Sequence, residues 1–225
     1  IGKTPNYGAH QAENRRPNML VEVETPLKNE MEYGALGIHL GKLLKDRIPV
    51  FEGLTDYSND HLKQLGAGMA SSGMTAMFYH ERARGAERLE KLSIEAKDVE
   101  ESIASLCTST EAPDMVFIGC PHCSLAEVES VAKLLKGKRV RKGVEFWVCT
   151  SRHVKDKARG HVAKIERAGG HVLCDTCALV TWIRDIKVNT LMTNSAKTAY
   201  YAPTLNEVEV TLAPLSQCIQ TACEK

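Results

Sequence analysis

The sequence predicts an α/β protein built from open, mostly parallel sheets flanked by helices. Three observations lead there. Short apolar stretches with strand character alternate with longer stretches of helical periodicity. From Pro113 onward the alternation becomes regular, strand then helix, which favours βαβ units and a parallel sheet in the C-terminal half. Glycines and capping residues fall where those units should stop and start. The 225 residues suffice to bury a real core. They divide into an α/β lobe over 1–110, continuing a longer upstream part, and a second lobe over 111–225 that carries the cysteine motifs.

Taken in order, Ile1 to His10 is polar, rich in turn formers and begins without Met, as the middle of a longer protein would. Alternating apolar residues predict a strand over Met19–Glu24, and a helix follows from about Glu30 to Lys45. Gly34, Gly37 and Gly41 recur along it at three- and four-residue spacing, so one helix face is bare and something packs closely there. Pro49–Gly53 reads as a strand, Asp60–Ala70 as a helix and Thr75–Tyr79 as a strand. Glu81–Cys107, rich in charge and in helix formers, reads as solvated helix.

In the second lobe Asp114–Gly119 is a continuous apolar strand. Ser124 and Glu127 form a capping box for a helix over Leu125–Leu135 that stops at Gly137. Gly143–Cys149 is the next strand, His153–Arg167 the next helix and Gly169-Gly170 its stop. Val172–Cys174 and Val188–Thr193 are two further strands.

Composition excludes several functions. Lys and Arg number 29 against 28 Asp and Glu, for a net charge of +1, and the two signs are interspersed along the chain. Neither nucleic acid nor a membrane surface is the expected partner. No window approaches the roughly 18 apolar residues of a membrane span, and no signal-peptide pattern opens the chain, so a soluble, cytoplasmic protein is expected.

Open parallel sheets bind ligands beyond the carboxyl ends of their strands, where helix N-termini present free N–H groups. The strand exits here are Cys120-Pro121-His122-Cys123-Ser124, Thr150-Ser151-Arg152, Asp175-Thr176-Cys177 and Asn194-Ser195-Ala196-Lys197. The reactive side chains of this half gather at those exits.

Eight cysteines without an export signal point to metal or redox chemistry at Cys120-Pro-His-Cys123 and Cys174-Asp-Thr-Cys177. Cys107, Cys149, Cys218 and Cys223 read as small core residues. Three readings of the motifs stand. A strand leading into Cys-Pro-His-Cys and a helix suits a thiol–disulfide oxidoreductase, although no proline lies between Ser124 and Tyr201 to sit against the dithiol. Two Cys-x-x-Cys pairs suit a structural zinc site, although this segment has its own apolar strands and needs no metal staple. An iron–sulfur cluster held by fewer cysteines than it has irons would keep one iron open as a Lewis acid.

Five segments carry a resemblance. They are Thr4–His10 with Glu13-Asn14-Arg15, Glu32-Tyr33-Gly34-Ala35-Leu36-Gly37, Phe117-Ile118-Gly119-Cys120-Pro121-His122, Asp175-Thr176-Cys177, and Met192-Thr193-Asn194-Ser195-Ala196-Lys197. In order and spacing they resemble the large subunit of the aconitase X family, essentially from end to end. The resemblance implies an aconitase-like fold and a hydro-lyase that removes water from a β-hydroxy carboxylate, with mevalonate 5-phosphate as first substrate and cis-3-hydroxy-L-proline as alternative.

It further implies an iron–sulfur cluster, of 4Fe–4S type, on Cys120 and Cys177. The third cysteine ligand and a serine-rich catalytic stretch would lie outside this chain, upstream of Ile1. A small swivel-like subunit would close over the site. Cys123 and Cys174 match no ligand position. Asn194, Ser195 and Lys197 resemble the family's polar loop for a carboxylate or phosphate. The implied catalytic residues are His122, Ser195 and Lys197. The implied substrate contacts are His10, Thr150, Ser151, Asp175, Thr176, Asn194, Ser195 and Lys197. A plain structural histidine is the alternative for His10 and His122, and a solvated lysine for Lys197. The chain departs from the family at Tyr79-His80-Glu81-Arg82-Ala83-Arg84, which lacks the glycine and proline that commonly follow this His.

Overall fold

The computed structural model describes residues 1–81 and 85–223. The departure noted after Glu81 therefore lies outside the described residues.

The first half is a three-stranded parallel sheet in the order β2-β1-β3, where β1 is Met19–Val23, β2 Pro49–Glu52 and β3 Lys91–Ile94. Three helices accompany it: α1 (Glu30–Leu44), α2 (Asn59–Ser72) and α3 (Ala96–Ser105). Asn29 starts α1 by accepting the Glu32 N–H at 3.2 Å. The bare glycine face of α1 meets α2, which brings glycines of its own. A Cβ on Gly68 would fall 2.8 Å from Gly37 Cα, so the two backbones touch only because side chains are missing.

Two expectations fail in this half. Residues 91–94 are strand rather than solvated helix, because only Ile94 of the four is buried and the polar pattern resembles an exposed helix face. Thr75–Tyr79 forms no strand, and a single bridge joins Tyr79 to Val50.

The second half is a five-stranded, wholly parallel sheet in the order β6-β5-β4-β7-β8. Its strands are β4 (Met115–Cys123), β5 (Glu145–Thr150), β6 (His171–Cys174), β7 (Thr190–Thr193) and β8 (Glu209–Leu212). Helices α4 (Leu125–Leu134), α5 (Arg152–Lys157), α6 (Arg159–Arg167), α7 (Ala196–Leu205) and α8 (Leu215–Ala222) complete it. The α4 capping box is present, with Ser124 and Glu127 each accepting the other's backbone N–H. The helix expected over His153–Arg167 is broken at Ala158 into α5 and α6.

Side chains alternate along β4 and separate two cores. Val116, Ile118 and Cys123 pack towards α4, α6 and α8, whereas Met115, Phe117 and Cys120 pack towards α7 and α1. Helices therefore cover both faces. From β4 the chain runs outward through β5 and β6, then returns to lay down β7 and β8 on the other side. The strand order reverses between β4 and β7, and the crevice beyond their carboxyl ends is where such sheets take ligands.

Candidate functional site

At the end of β4 the register with β5 shifts between Ile118 and Cys123, so the cysteine motif is the bulged last part of the strand rather than a loop beyond it. Gly119 makes this possible. Its φ is +112°, and a Cβ there would sit 2.9 Å from the Cys149 N. The Cys120–Pro121 peptide is cis. The bulge leaves Cys120 and Cys123 on opposite faces of the sheet, Cys123 being wholly enclosed by core side chains. The two cysteines of this motif do not face a common ligand.

Cys120 meets Cys177 instead. The Cys177 thiol lies at the start of a short 3-10 turn after Asp175, whose φ is +54°. The two thiols are near enough for a hydrogen bond from Cys120 to Cys177, and both cysteines are free. The hydrogen bond from Cys120 depresses the Cys177 pKa to about 5 against the opposing effect of burial. The backbone N–H groups of Val180 and Leu179, and His122 nearby, act in the same direction. Cys120 moves the other way, because that bond holds its proton and burial adds to the effect, while Thr198 and Lys197 pull it down. Cys149 behind them is pushed up to about 12 by burial, with Cys177 and Cys174 in range.

Ser195 ties the loops together. Fully buried, its hydroxyl donates to the Cys120 carbonyl and accepts the Thr198 N–H at 3.0 Å, capping α7. Lys197 follows on the first turn, partly exposed and close enough to Cys120 to influence its charge. The exposed His122 reaches across with Nε2 2.9 Å from the Thr176 carbonyl oxygen, linking the β4 exit to the Cys177 loop. Asn194 is buried and lines a cleft of about 230 Å³ with Ile118, Ser58, Asp60, His61 and Glu127.

Other expected residues hold the frame. Thr150 is fully buried and donates to the Cys123 carbonyl at 2.6 Å. Ser151 caps α5 by accepting the Val154 N–H at 3.2 Å, and Asp175 pairs with Arg152 at 2.6 Å. His10 is not drawn into this group. Its partners, Thr4 and Arg15, lie in the N-terminal segment.

Sequence reasoning missed Lys63. From α2 its ammonium reaches Asp60 at 2.9 Å, the Glu127 carboxylate and the His122 carbonyl at 3.2 Å, while Ser124 donates to Asp60 at 2.7 Å. Burial lowers the Lys63 pKa, but Glu127 and Asp60 outweigh it and the net shift is upward. Glu127 is also raised, because burial exceeds the help of one lysine. No local pattern marks this encounter between residues so distant in sequence.

Among the described residues, no group of three or more His, Cys, Asp or Glu is arranged to hold a metal ion, and no helix is long and apolar enough to cross a membrane. The Cys120–Cys177 pair offers two sulfur donors.

Comparison with known proteins gives these features a setting. A family model described as the aconitase X second domain matches residues 17–104, and one described as the aconitase X third domain matches residues 113–224. The phosphomevalonate dehydratase large subunit of Methanocaldococcus jannaschii is 40% identical over 98% of this chain and 58% of its own length. The cis-3-hydroxy-L-proline dehydratase of Pseudomonas aeruginosa is 31% identical over 98% of this chain and 41% of its own length. The crystal structure of Thermococcus kodakaraensis aconitase X in its holo-form superimposes with a TM-score of 0.89 at 34% identity, covering 98% of this chain and 59% of that one. The chain spans about half the length of the curated relatives it matches. With two domain models covering nearly all of it in order, and the parallel sheets of that crystal structure reproduced, the chain belongs to the aconitase X family, of which it carries the second and third domains.

Proposed function

We propose that this chain is part of a hydro-lyase that removes water from a β-hydroxy carboxylate, with mevalonate 5-phosphate as its substrate. The observation that carries the proposal is the convergence of Cys120, at the exit of β4 where the strand order reverses, with Cys177 from the turn after β6. Relatives named as phosphomevalonate dehydratase large subunits support the substrate. The reading assigns residues 1–110 and 111–225 to two lobes of a longer cytoplasmic protein. An upstream part completes the site and a small swivel-like subunit covers it.

The donor set fits an iron–sulfur cluster, which we take to be of 4Fe–4S type. Two soft thiols converge, the more acidic one under two backbone N–H groups, and a third cysteine would come from outside this chain. When bound, such a cluster supplies an open iron position that acts as a Lewis acid on a hydroxyl leaving as water.

The residues of this chain do the remaining work around it. Lys197, on the first turn of α7, holds a carboxylate or phosphate at the positive end of that helix. Asn194 orients the substrate from the cleft wall, and Ser195 fixes Cys120 through its carbonyl. His122, with Nε2 on the Thr176 carbonyl, is left with Nδ1 to hold or pass a proton. Ser151, Asp175 and Thr176 form the adjoining rim, and Thr150 braces it from beneath.

The 31% identical proline-derivative dehydratase makes cis-3-hydroxy-L-proline the second substrate to test. The experiment assembles the full-length protein with its partner subunit under anaerobic conditions, then follows iron, visible absorbance and water loss from both compounds. Iron with turnover of mevalonate 5-phosphate is the expected result. Stoichiometric zinc without iron, or a loaded protein that dehydrates neither compound, would overturn the proposal.

A further inference from the structure

Buried polar atoms are nearly always hydrogen-bonded, so an orphan asks for its missing partner. Thr198 is such a case. Its side chain is fully buried on the first turn of α7, and its Oγ1 has no partner among the described residues. Its own N–H is held by Ser195 Oγ, the same atom that donates to the Cys120 carbonyl, so one hydroxyl pins Thr198 and Cys120 side by side. The sulfur within reach of that hydroxyl is the one on Cys120. Leaving a hydroxyl unsatisfied in a packed core is unfavourable, and a valine of the same shape would avoid that cost. A threonine here makes physical sense when a stronger acceptor, a ligand thiolate or a sulfide, takes that place.

We propose that Thr198 is a positioning residue for the sulfur centre, its hydroxyl donating a hydrogen bond to a sulfur at the Cys120 corner, either the ligand thiolate or an inorganic sulfide beside it. This rests on the iron–sulfur reading given above. A hydrogen bond to a cluster sulfur favours the more negative, reduced state, which raises the reduction potential.

The test uses the full-length protein assembled with its partner subunit, as wild type, Thr198→Val and Thr198→Ser, with redox titration followed by visible absorbance and electron paramagnetic resonance. Thr198→Val should favour oxidation by about tenfold, equivalent to about 59 mV for one electron, and Thr198→Ser should restore the wild-type value. In the cluster-free protein Thr198→Val should melt close to wild type, because the acceptor in reach of the hydroxyl there is a thiol sulfur, a weak one. If Thr198→Val fails to load while melting normally, and Thr198→Ser loads, the proposal is equally supported. A loaded Thr198→Val with unchanged potential, or a serine variant that behaves like valine, overturns this inference alone. A wild type that binds no iron and no sulfide overturns it together with the iron–sulfur reading.

Discussion

A partly exposed thiol that faces two backbone N–H groups and a neighbouring thiol does not react as an ordinary cysteine. With its pKa lowered to about 5, Cys177 is a thiolate throughout the neutral range. In the metal-free chain its alkylation by iodoacetamide, followed by peptide mass spectrometry, should stay nearly flat from pH 6.5 to 8. An unperturbed thiol speeds up by roughly tenfold per pH unit in that range. A rate for Cys177 that climbs with pH would show that the pair is not formed. At this scale the sequence was informative where reactive side chains gather at strand exits, and the structure brings Cys120, Cys177 and Ser195 of that group together. It was silent on Lys63, Asp60 and Thr198, whose meaning comes from neighbours on other elements. Thr150 shows the opposite failure, since a strand-exit position did not reveal that its hydroxyl is spent on the Cys123 carbonyl.

Among the elements, α1 and α2 were legible as helices, and the glycine stripe announced a close contact without naming its partner. Gly37→Val would drive a side chain into the Leu65 and Gly68 backbone, which cannot yield as a flexible side chain would. A loss of about 2–3 kcal/mol in urea unfolding is expected, and a loss below 0.5 kcal/mol would contradict the packing. Strand β3 was hidden by its surface charges, and α7, β8 and α8 were not anticipated from the sequence. Asp114 joins the starts of β4 and β7. Burial pushes its pKa up, but the Asn189 and Thr190 N–H groups and the Thr190 hydroxyl outweigh that and hold it low. A depressed folded-state pKa adds stability above the unfolded value of roughly 4, and that stability is lost as pH falls through the folded value. Asp114→Asn should therefore flatten the acid side of a stability-versus-pH curve and leave its slope near pH 8 unchanged.

For the whole molecule, the two sheets could be foreseen and their mutual arrangement could not, because it depends on encounters such as Lys63 with Glu127 and Gly34 with Ala196. Lys63→Met would leave Asp60 and Glu127 without their cation in a partly buried place. A cost of about 2–3 kcal/mol is expected, below the value for a fully buried pair because a quarter of the lysine side chain stays exposed. Breaking the exposed Arg47–Glu90 pair should cost about 0.5 kcal/mol. Equal costs for the two changes would deny Lys63 its bridging part. The central claim is that two sulfurs from separate strand exits grip one centre, and iron with acid-labile sulfide in the assembled full-length protein measures it. Cys120→Ser and Cys177→Ser should each lose both, while Cys123→Ser and Cys174→Ser keep them. Retention in either of the first two, or loss in either of the last two, would contradict the account.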